Sequence, residues 1–303
     1  MRLRDPMRRR VRPCPDESAE QALRRLLARY FRQVLKAEPA TRQGTVEGLH
    51  DLRVALSKIR DVALLFHAVD PQFLGGLQRK ISKVSDQMGA ARDLDVWCAL
   101  FREMDEAGGL KRVSRRDHEA VEKGLRRQRN RLTKAALADP MYQEIKQQLR
   151  AYVRHQPSKQ KKKFQPSPQG LAAQKMLAVR DLIDARYHRV GTFSCNRAHQ
   201  LRKAGRRMRY LGEFFAKELG PSVLEAVEAV TRAQSALGKV HDCDSALELS
   251  EHLPTGKGRR IVQAALRNRR ADYLHKFKTA WRQYADRRLQ KAWLAQLEAA
   301  AAS

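Results

Sequence analysis

The sequence predicts an all-α protein made of two pseudo-symmetric four-helix bundles that arose by internal duplication. Three observations support this prediction. Apolar residues recur every three or four positions through most of the 303 residues, no segment alternates polar and apolar residues as a strand does, and two separate motifs each occur twice. Because both motifs repeat at the same interval of 149 residues, we interpret the two halves as copies of one up-and-down helical unit.

The first predicted unit spans residues 18–154 and contains four amphipathic segments. They are residues 19–35, 49–66, 77–101 and 113–137. The breaks between these segments are expected at proline and glycine positions, which interrupt helices. These positions are Pro39 and Gly44, Asp70-Pro71 with Gly75-Gly76, and Gly108-Gly109.

The second predicted unit spans residues 171–298 and repeats this plan. Its segments are residues 171–190, 198–215, 223–249 and 259–297. Its breaks are expected at Gly220-Pro221 and at Pro254 with Gly256 and Gly258. We expect the two units to form one domain.

Two further segments lack apolar periodicity. Residues 1–17 hold six Arg and three Pro and are predicted to be a disordered basic tail. Residues 155–170 hold four Lys, three Pro and no acid, and are predicted to be a solvated linker between the units. Either segment is a candidate for additional contact with a polyanion.

The composition limits the classes of function. The 62 Lys and Arg residues outnumber the 33 Asp and Glu residues, so the formal charge is +29 and a polyanionic partner is expected. No apolar run is long enough to span a membrane, and none follows the basic N-terminus as in a secretory signal, so we expect no membrane insertion and a cytoplasmic location. The four cysteines are widely separated, which argues against a disulfide framework or a thiolate zinc site.

The repeated motifs place basic residues at matching positions in the two halves. In the first motif His50 matches His199, Arg53 matches Arg202, Lys58 matches Arg207, and Arg60 matches Arg209. In the second motif Gly89 matches Gly238, Arg92 matches His241, Asp93 matches Asp242, and Asp95 matches Asp244. Lys83 likewise matches Arg232.

Helical spacing gathers the first motif's cations on one face, opposite the apolar face. The second copy adds Lys203 and Arg206 to this stripe, and residues 195–211 contain no acid that would pair with it. A basic helix face is usually only solvated, but unpaired like charges on one face repel by a few tenths of a kcal/mol per pair. Since the stripe occurs in both copies, we interpret it as an anion clamp.

The histidines and aspartates allow more than one interpretation. His50 and His199 are placed to donate to a phosphate held by the neighbouring Arg, although a lone histidine at a helix start is often a cap or a surface residue. The DxD motifs resemble magnesium ligands, but we expect Asp93 and Asp242 to pair with basic residues or to cap a break at the glycines, which would allow tight helix packing. We expect Arg92 and His241 to face inwards. No metal and no cofactor are expected.

No motif for catalysis is found, so the protein is expected not to be an enzyme. Nucleic acid is the second candidate partner, because the charge suits any phosphate backbone while few aromatic residues are available to stack on bases. Two further candidate functions are a helical adaptor for an acidic protein and a phosphohistidine or metal site at the histidines. The sequence does not determine the oligomeric state.

The paired motifs resemble the CHAD family, the conserved-histidine α-helical domain. In the first half they are H50xxR53…K58xR60 with GAARDLDV, and in the second half they are H199xxRK…RRxRY with GKVHDCDS. This resemblance covers about residues 18–298. It implies two four-helix bundles facing a shared basic groove or pore, the binding of inorganic polyphosphate, and association with polyphosphate granules. The polyphosphate-binding residues that it implies are His50, Arg53, Lys58, Arg60, Lys83, Arg92, His199, Arg202, Lys203, Arg206, Arg207, Arg209, Arg232 and His241.

The chain departs from the family pattern at two places. Ser57-Lys58 stands where relatives often have Arg-Arg, so the first copy is less charged. His241 stands where Arg is usual, so the second site is expected to be weaker or sensitive to pH. The ExExK motif of relatives with a triphosphatase domain is not found, and no such activity is expected.

Overall fold

The computed structural model describes residues 17–106, 115–154, 167–188, 195–251 and 256–302. No strand occurs in these ranges, and the predicted all-α class is confirmed. The helices of the first half are α1 (Ala19–Arg42), α2 (Val46–Leu65), α3 (Pro71–Glu106), α4 (Arg115–Ala138) and α5 (Pro140–Arg154). Those of the second half are α6 (Pro168–His188), α7 (Cys195–Leu219), α8 (Pro221–Ser250), α9 (Lys257–Tyr284) and α10 (Arg287–Ala301). None of these helices combines the length and the apolar character needed to cross a bilayer.

Several helices begin where a polar side chain or a special backbone conformation satisfies the first turn. The hydroxyl of Ser18 accepts a hydrogen bond from the Gln21 amide, and the Gln21 side chain accepts one from the Ser18 amide, so α1 starts with a capping box. Thr45 caps α2 with its hydroxyl. Gly220 precedes α8 with a φ of 119°, which favours glycine, and Pro221 follows at the first helical position.

Each half contains five helices within the described ranges, where the sequence analysis expected four-helix units. In the first half the additional helix is α5, which begins at Pro140 because Asp139 accepts a hydrogen bond from an amide of the new first turn. In the second half the segment predicted at 259–297 is two helices, since Asp286 accepts from two amides at the start of α10. The missed signal in both halves is an aspartate that caps a new helix.

Two predicted breaks do not interrupt a helix. α1 continues through Pro39 for three more residues, because a proline so near the end of a helix removes only one hydrogen bond. Gly75 and Gly76 lie inside α3, which starts at Pro71. The Asp70 side chain caps this helix, because it accepts a hydrogen bond from the Phe73 amide at 3.1 Å.

Other predicted boundaries fall wholly or partly outside the described residues. The breaks at Gly108-Gly109 and at Pro254 lie outside, as do residues 1–16 of the predicted tail and 155–166 of the predicted linker. The end of the predicted linker is helical, because α6 begins at Pro168.

The two halves pack against each other through equivalent helices. Each helix of the first half has a counterpart about 149 residues later, and two such pairs, α2 with α7 and α3 with α8, are in contact. One hydrophobic core includes side chains from both halves. A smaller cluster joins Trp97 and Leu100 of α3 to Val262 and Leu266 of α9. The polar faces of α2, α3, α7 and α8 are thereby brought together.

Candidate functional site

A cavity of about 580 Å³ lies where α2, α3, α7 and α8 meet, and we call it the central cavity. Both halves contribute side chains to it, so the site depends on the packing between them. The charged and imidazole side chains that line it are His50, Arg53, Asp86, Arg92, Asp93, His199, Arg202, Arg206, Arg209, Lys239, His241 and Asp242. Six cations and three histidines therefore face three carboxylates.

Amphipathic spacing turns the cations of α7 towards the cavity. Leu201 and Met208 are buried in the core, whereas Arg202, Arg206 and Arg209 lie on the other face and line the cavity. On α2 the same division separates the buried leucines from His50 and Arg53, as the wheel spacing predicts. The order along each helix places the histidine first and the arginines after it.

α3 and α8 pass along the cavity without a break at the two repeated glycines. A methyl group at Gly89 would meet only the Arg53 guanidinium at 3.9 Å, and one at Gly238 would meet only the Gln234 side chain at 3.9 Å. Neither glycine is therefore needed for close helix packing, and the expected cap or tight contact at these positions is corrected. Arg92 and His241 both line the cavity, in agreement with the expectation that they face inwards.

The arginines of the central cavity are crowded and poorly solvated. Burial lowers the pKa of Arg53 to about 10 and also lowers the pKa values of Arg202 and Arg206. The Nε atoms of Arg202, Arg206 and Arg209 are buried without a hydrogen-bond partner. An anion in the cavity would supply hydrogen-bond acceptors to these Nε atoms and a counter-charge to the guanidinium groups.

The two aspartates of each DxD motif have different surroundings. Asp95 accepts two hydrogen bonds from the Arg129 guanidinium of α4, at 2.9 and 3.3 Å, and Asp244 accepts one from Arg270 Nε of α9 at 2.5 Å. The second aspartate of each motif therefore fastens its helix to the next helix, while the first, Asp93 or Asp242, lines the cavity.

The carboxylates in the cavity counteract the effect of burial on the arginines. The charge of Asp93 opposes the lowering of the pKa of Arg53, and Asp242 does so most strongly at Arg202. Burial raises the pKa of Asp242 itself. We interpret these aspartates as charges that orient the arginines, because each acts on a cation of another helix.

The histidines of the second half form a pair. The rings of His199 and His241 lie 4.9 Å apart between centroids, at 51° to each other, and the Nδ1 atom of each is buried without a hydrogen-bond partner. Burial, followed by the charges of Lys203 and Arg202, lowers the pKa of His199 to about 4. Burial and then the Arg202 charge lower the pKa of His241. Both imidazoles are therefore neutral at pH 7 when the cavity holds no anion.

The first half has a different arrangement at the equivalent place. His50 has Arg92 as its neighbour, where His199 has His241. Burial and then the Arg92 charge lower the pKa of His50. The histidine pair thus belongs to the second half of the cavity, whereas the first half has a histidine beside an arginine. Among the described residues, no three His, Cys, Asp or Glu side chains are grouped to hold a metal ion.

Six of the residues predicted to bind polyphosphate do not line the central cavity. They are Lys58, Lys203, Arg60, Arg207, Lys83 and Arg232. Lys203 is exposed beside the cavity, and partial burial followed by the Arg206 charge lowers its pKa. Arg60 pairs with Asp61 at 3.4 Å. Arg207 is half-buried, Lys83 is exposed on α3, and Arg232 lines a different pocket.

Lys58 is withdrawn from solvent, which corrects its predicted place in the anion clamp. Its side chain is buried, and Nζ lies 2.6 Å from a carboxylate oxygen of Glu213 on α7. The same Nζ lies 5.4 Å from the ring centroid of Tyr30 and 5.6 Å from that of Tyr210. The Lys58 ammonium group is therefore paired and lies near two rings, and its ion pair connects the halves.

Sequence reasoning did not select Lys239, which lines the central cavity. Its counterpart in the first half is Ala90, so a search for basic residues shared by both copies passes over it. Its position next to Gly238 within the repeated motif was the available signal. Asp86 was also missed, because its counterpart is Ser235 and the charge is therefore not repeated in the second half.

Comparison with known proteins identifies one family. The sequence profile of the CHAD domain matches residues 25–251. The structure resembles the crystal structure of the CHAD domain from the plant Ricinus communis, with a TM-score of 0.62 and 24% identity over 94% of this chain and 93% of that chain. It also resembles PptA from Streptomyces chartreusis, with a TM-score of 0.57 and 16% identity over 91% of this chain and 99% of that chain. No curated protein sequence matches the chain significantly.

Proposed function

Because this chain belongs to the CHAD domain family, we propose that it binds inorganic polyphosphate in the central cavity. The observation that carries this proposal is the group of arginines from both halves around one cavity, three of them with buried Nε atoms that form no hydrogen bond. Guanidinium groups donate in a fork that matches phosphate oxygens, and a polymer of phosphate offers such oxygens at every unit.

The shortage of aromatic surface favours polyphosphate over nucleic acid. Tyr210 is the aromatic side chain that lines the cavity, and it is buried against the core rather than open to a stacking base. A polymer that carries charge without bases needs no such surface. An acidic protein would require a broad docking face, whereas the cations here converge on a cavity.

We propose binding without catalysis. Asp93 and Asp242 face arginines across the cavity, and Asp95 and Asp244 are engaged by Arg129 and Arg270 of the following helices. These four carboxylates are partners of cations. Their contacts support a role in positioning arginines rather than in catalysis. A protein that binds long polyphosphate in the cytoplasm would collect on polyphosphate granules, and we propose this location.

A competition experiment tests the ligand. The purified full chain, with labelled long-chain polyphosphate bound, is titrated at physiological salt with unlabelled polyphosphate or with a single-stranded RNA of the same total charge. We expect polyphosphate to displace the label at a concentration at least about tenfold lower, since the cavity has no surface for bases. Equal displacement per charge would show a nonspecific basic protein and would reject the proposal.

A further inference from the structure

A second pocket, of about 610 Å³, lies between α8 and α9, and we call it the α8–α9 pocket. It shares Ser235 and Lys239 with the central cavity, so the two spaces adjoin along one side of α8. Its other lining residues include Arg232 of α8 and Tyr273, Lys276 and Gln283 of α9. The pocket therefore extends the site towards a helix that does not reach the central cavity.

The charge of the α8–α9 pocket has one sign. Arg232, Lys239 and Lys276 line it, and no Asp or Glu is among its lining residues. Within the described part of the chain, none of these three cations forms an ion pair. Arg232 donates from Nε to Gln283 Oε1 across the pocket at 3.2 Å, and Lys276 Nζ lies 5.2 Å from the Tyr273 ring centroid. These contacts hold both cations at the pocket without neutralising them.

The two halves differ where the two spaces adjoin, although Lys83 and Arg127 of the first half stand at the positions of Arg232 and Lys276. Ser235 and Lys239, which separate the two spaces, correspond to Asp86 and Ala90. Asp86 lines the central cavity, so a polyanion leaving on that side would pass a carboxylate instead of an ammonium group. The second half thus has a cationic exit from the central cavity, whereas the first half does not.

Resting on the proposed function, we propose that the α8–α9 pocket is a second polyphosphate-binding segment. A polyphosphate longer than the central cavity leaves it beside Lys239 and continues to Arg232 and Lys276. The repeat placed Arg232 among the binding residues, and this path gives that arginine a ligand contact outside the central cavity. The path also makes affinity depend on polymer length.

The test compares two double variants that each remove one Arg and one Lys. R232Q/K276Q changes the α8–α9 pocket, and R127Q/K134Q changes two exposed cations of α4, the helix equivalent to α9. Affinity is measured by titration calorimetry for tripolyphosphate and for long-chain polyphosphate, at several salt concentrations. Circular dichroism and urea unfolding establish that both variants are folded.

We expect R232Q/K276Q to bind long-chain polyphosphate about tenfold more weakly than R127Q/K134Q does, and to bind tripolyphosphate as the unchanged chain does. The slope of log affinity against log salt should fall by roughly 0.7 for each lost phosphate contact. Equal losses in the two double variants would overturn the second segment and leave the proposed function intact. A wild-type chain that binds neither probe would overturn the proposed function itself.

Discussion

At the scale of single residues, the charge of His199 depends on what the cavity contains. Without an anion, burial and neighbouring cations hold its pKa at about 4, and the pKa of His241 is lowered as well. Under the proposed function, a bound phosphate would reverse the local field and raise both pKa values, so that binding would take up protons. Burial lowers the pKa of His241, and this effect is larger than the raising effect of the Asp93 and Asp244 charges.

We therefore expect the affinity for long-chain polyphosphate to increase, by about tenfold, as the pH falls from about 7.5 to about 5.5. The variant H199Q/H241Q, which keeps two neutral hydrogen-bonding side chains, should lose most of this dependence. Fluorescence titration across the pH range measures it, and an H50Q variant reports the contribution of the first half. An unchanged pH profile in H199Q/H241Q would assign the proton uptake to other groups.

Lys58 provides a second prediction, because its contacts are structural. Lys58→Met removes the ion pair with Glu213 and should lower the free energy of unfolding by about 1–3 kcal/mol, while polyphosphate affinity changes less than about twofold. Arg53→Met should weaken binding by about tenfold or more. Its effect on stability should be smaller than that of Lys58→Met, because it removes a buried like charge together with the hydrogen bonds to the Met88 and Gly89 carbonyls at 3.3 and 3.5 Å. Urea unfolding and ligand titration of the two variants distinguish the roles.

At the scale of helices, the cationic face of α7 is the element on which binding should depend most. Replacing Arg202 and Arg206 with Gln removes two donors and leaves the apolar face intact, so helicity should persist because Arg and Gln have similar helix propensity. Two charge-assisted contacts are worth about 3–6 kcal/mol, so affinity should fall at least about a hundredfold. Arg209 is left unchanged because it also pairs with Glu213.

The matched control removes the same charge from the N-terminal segment, at Arg8 and Arg9. We expect this change to lower polyphosphate affinity by less than about threefold, because the sequence predicts a basic tail here and solvated charges contribute little to binding. Both pairs are measured at one salt concentration against the same polymer. If they weaken binding equally, net charge rather than the α7 face determines affinity.

Gly212 allows close contact between α7 and α8. A methyl group at Gly212 would lie 2.3 Å from Val227 Cγ1 and 3.0 Å from Val227 Cβ, so rotation of the valine does not remove the clash. Gly212→Ala should therefore destabilise the protein by about 1–3 kcal/mol. Gly89→Ala and Gly238→Ala meet only ordinary contacts and should be neutral or stabilising by up to about 1 kcal/mol, because alanine favours helix. Thermal unfolding of the three variants compares these effects.

At the scale of the whole molecule, the formal charge of +29 opposes the compact fold, and a polyanion relieves that repulsion. A ligand present at a hundred times its dissociation constant stabilises the folded state by about 2.7 kcal/mol. For a chain of this size we expect polyphosphate to raise the Tm by roughly 3–5 °C. Differential scanning fluorimetry measures the shift, with sodium chloride of equal ionic strength as the control. A shift that the control reproduces would indicate screening alone.

The sequence by itself determined the helical class, the interval of the repeat and the cationic faces of α2 and α7. These features are local, because periodicity and the absence of neighbouring acids can be seen within one stretch of chain. The number of helices per half was underestimated, because no helix was predicted after Asp139 and the segment 259–297 was not divided at Asp286.

Only the tertiary structure decided which of the repeated residues share a cavity. Glu213 lies far from Lys58 in sequence, and the packing of α2 on α7 joins them and removes Lys58 from the site. Packing likewise separates Asp93 from Asp95, sending one carboxylate to the cavity and the other to Arg129. The partner of a side chain across a helix interface depends on residues distant in the chain. For that reason repeat symmetry identified the residue types but not their contacts.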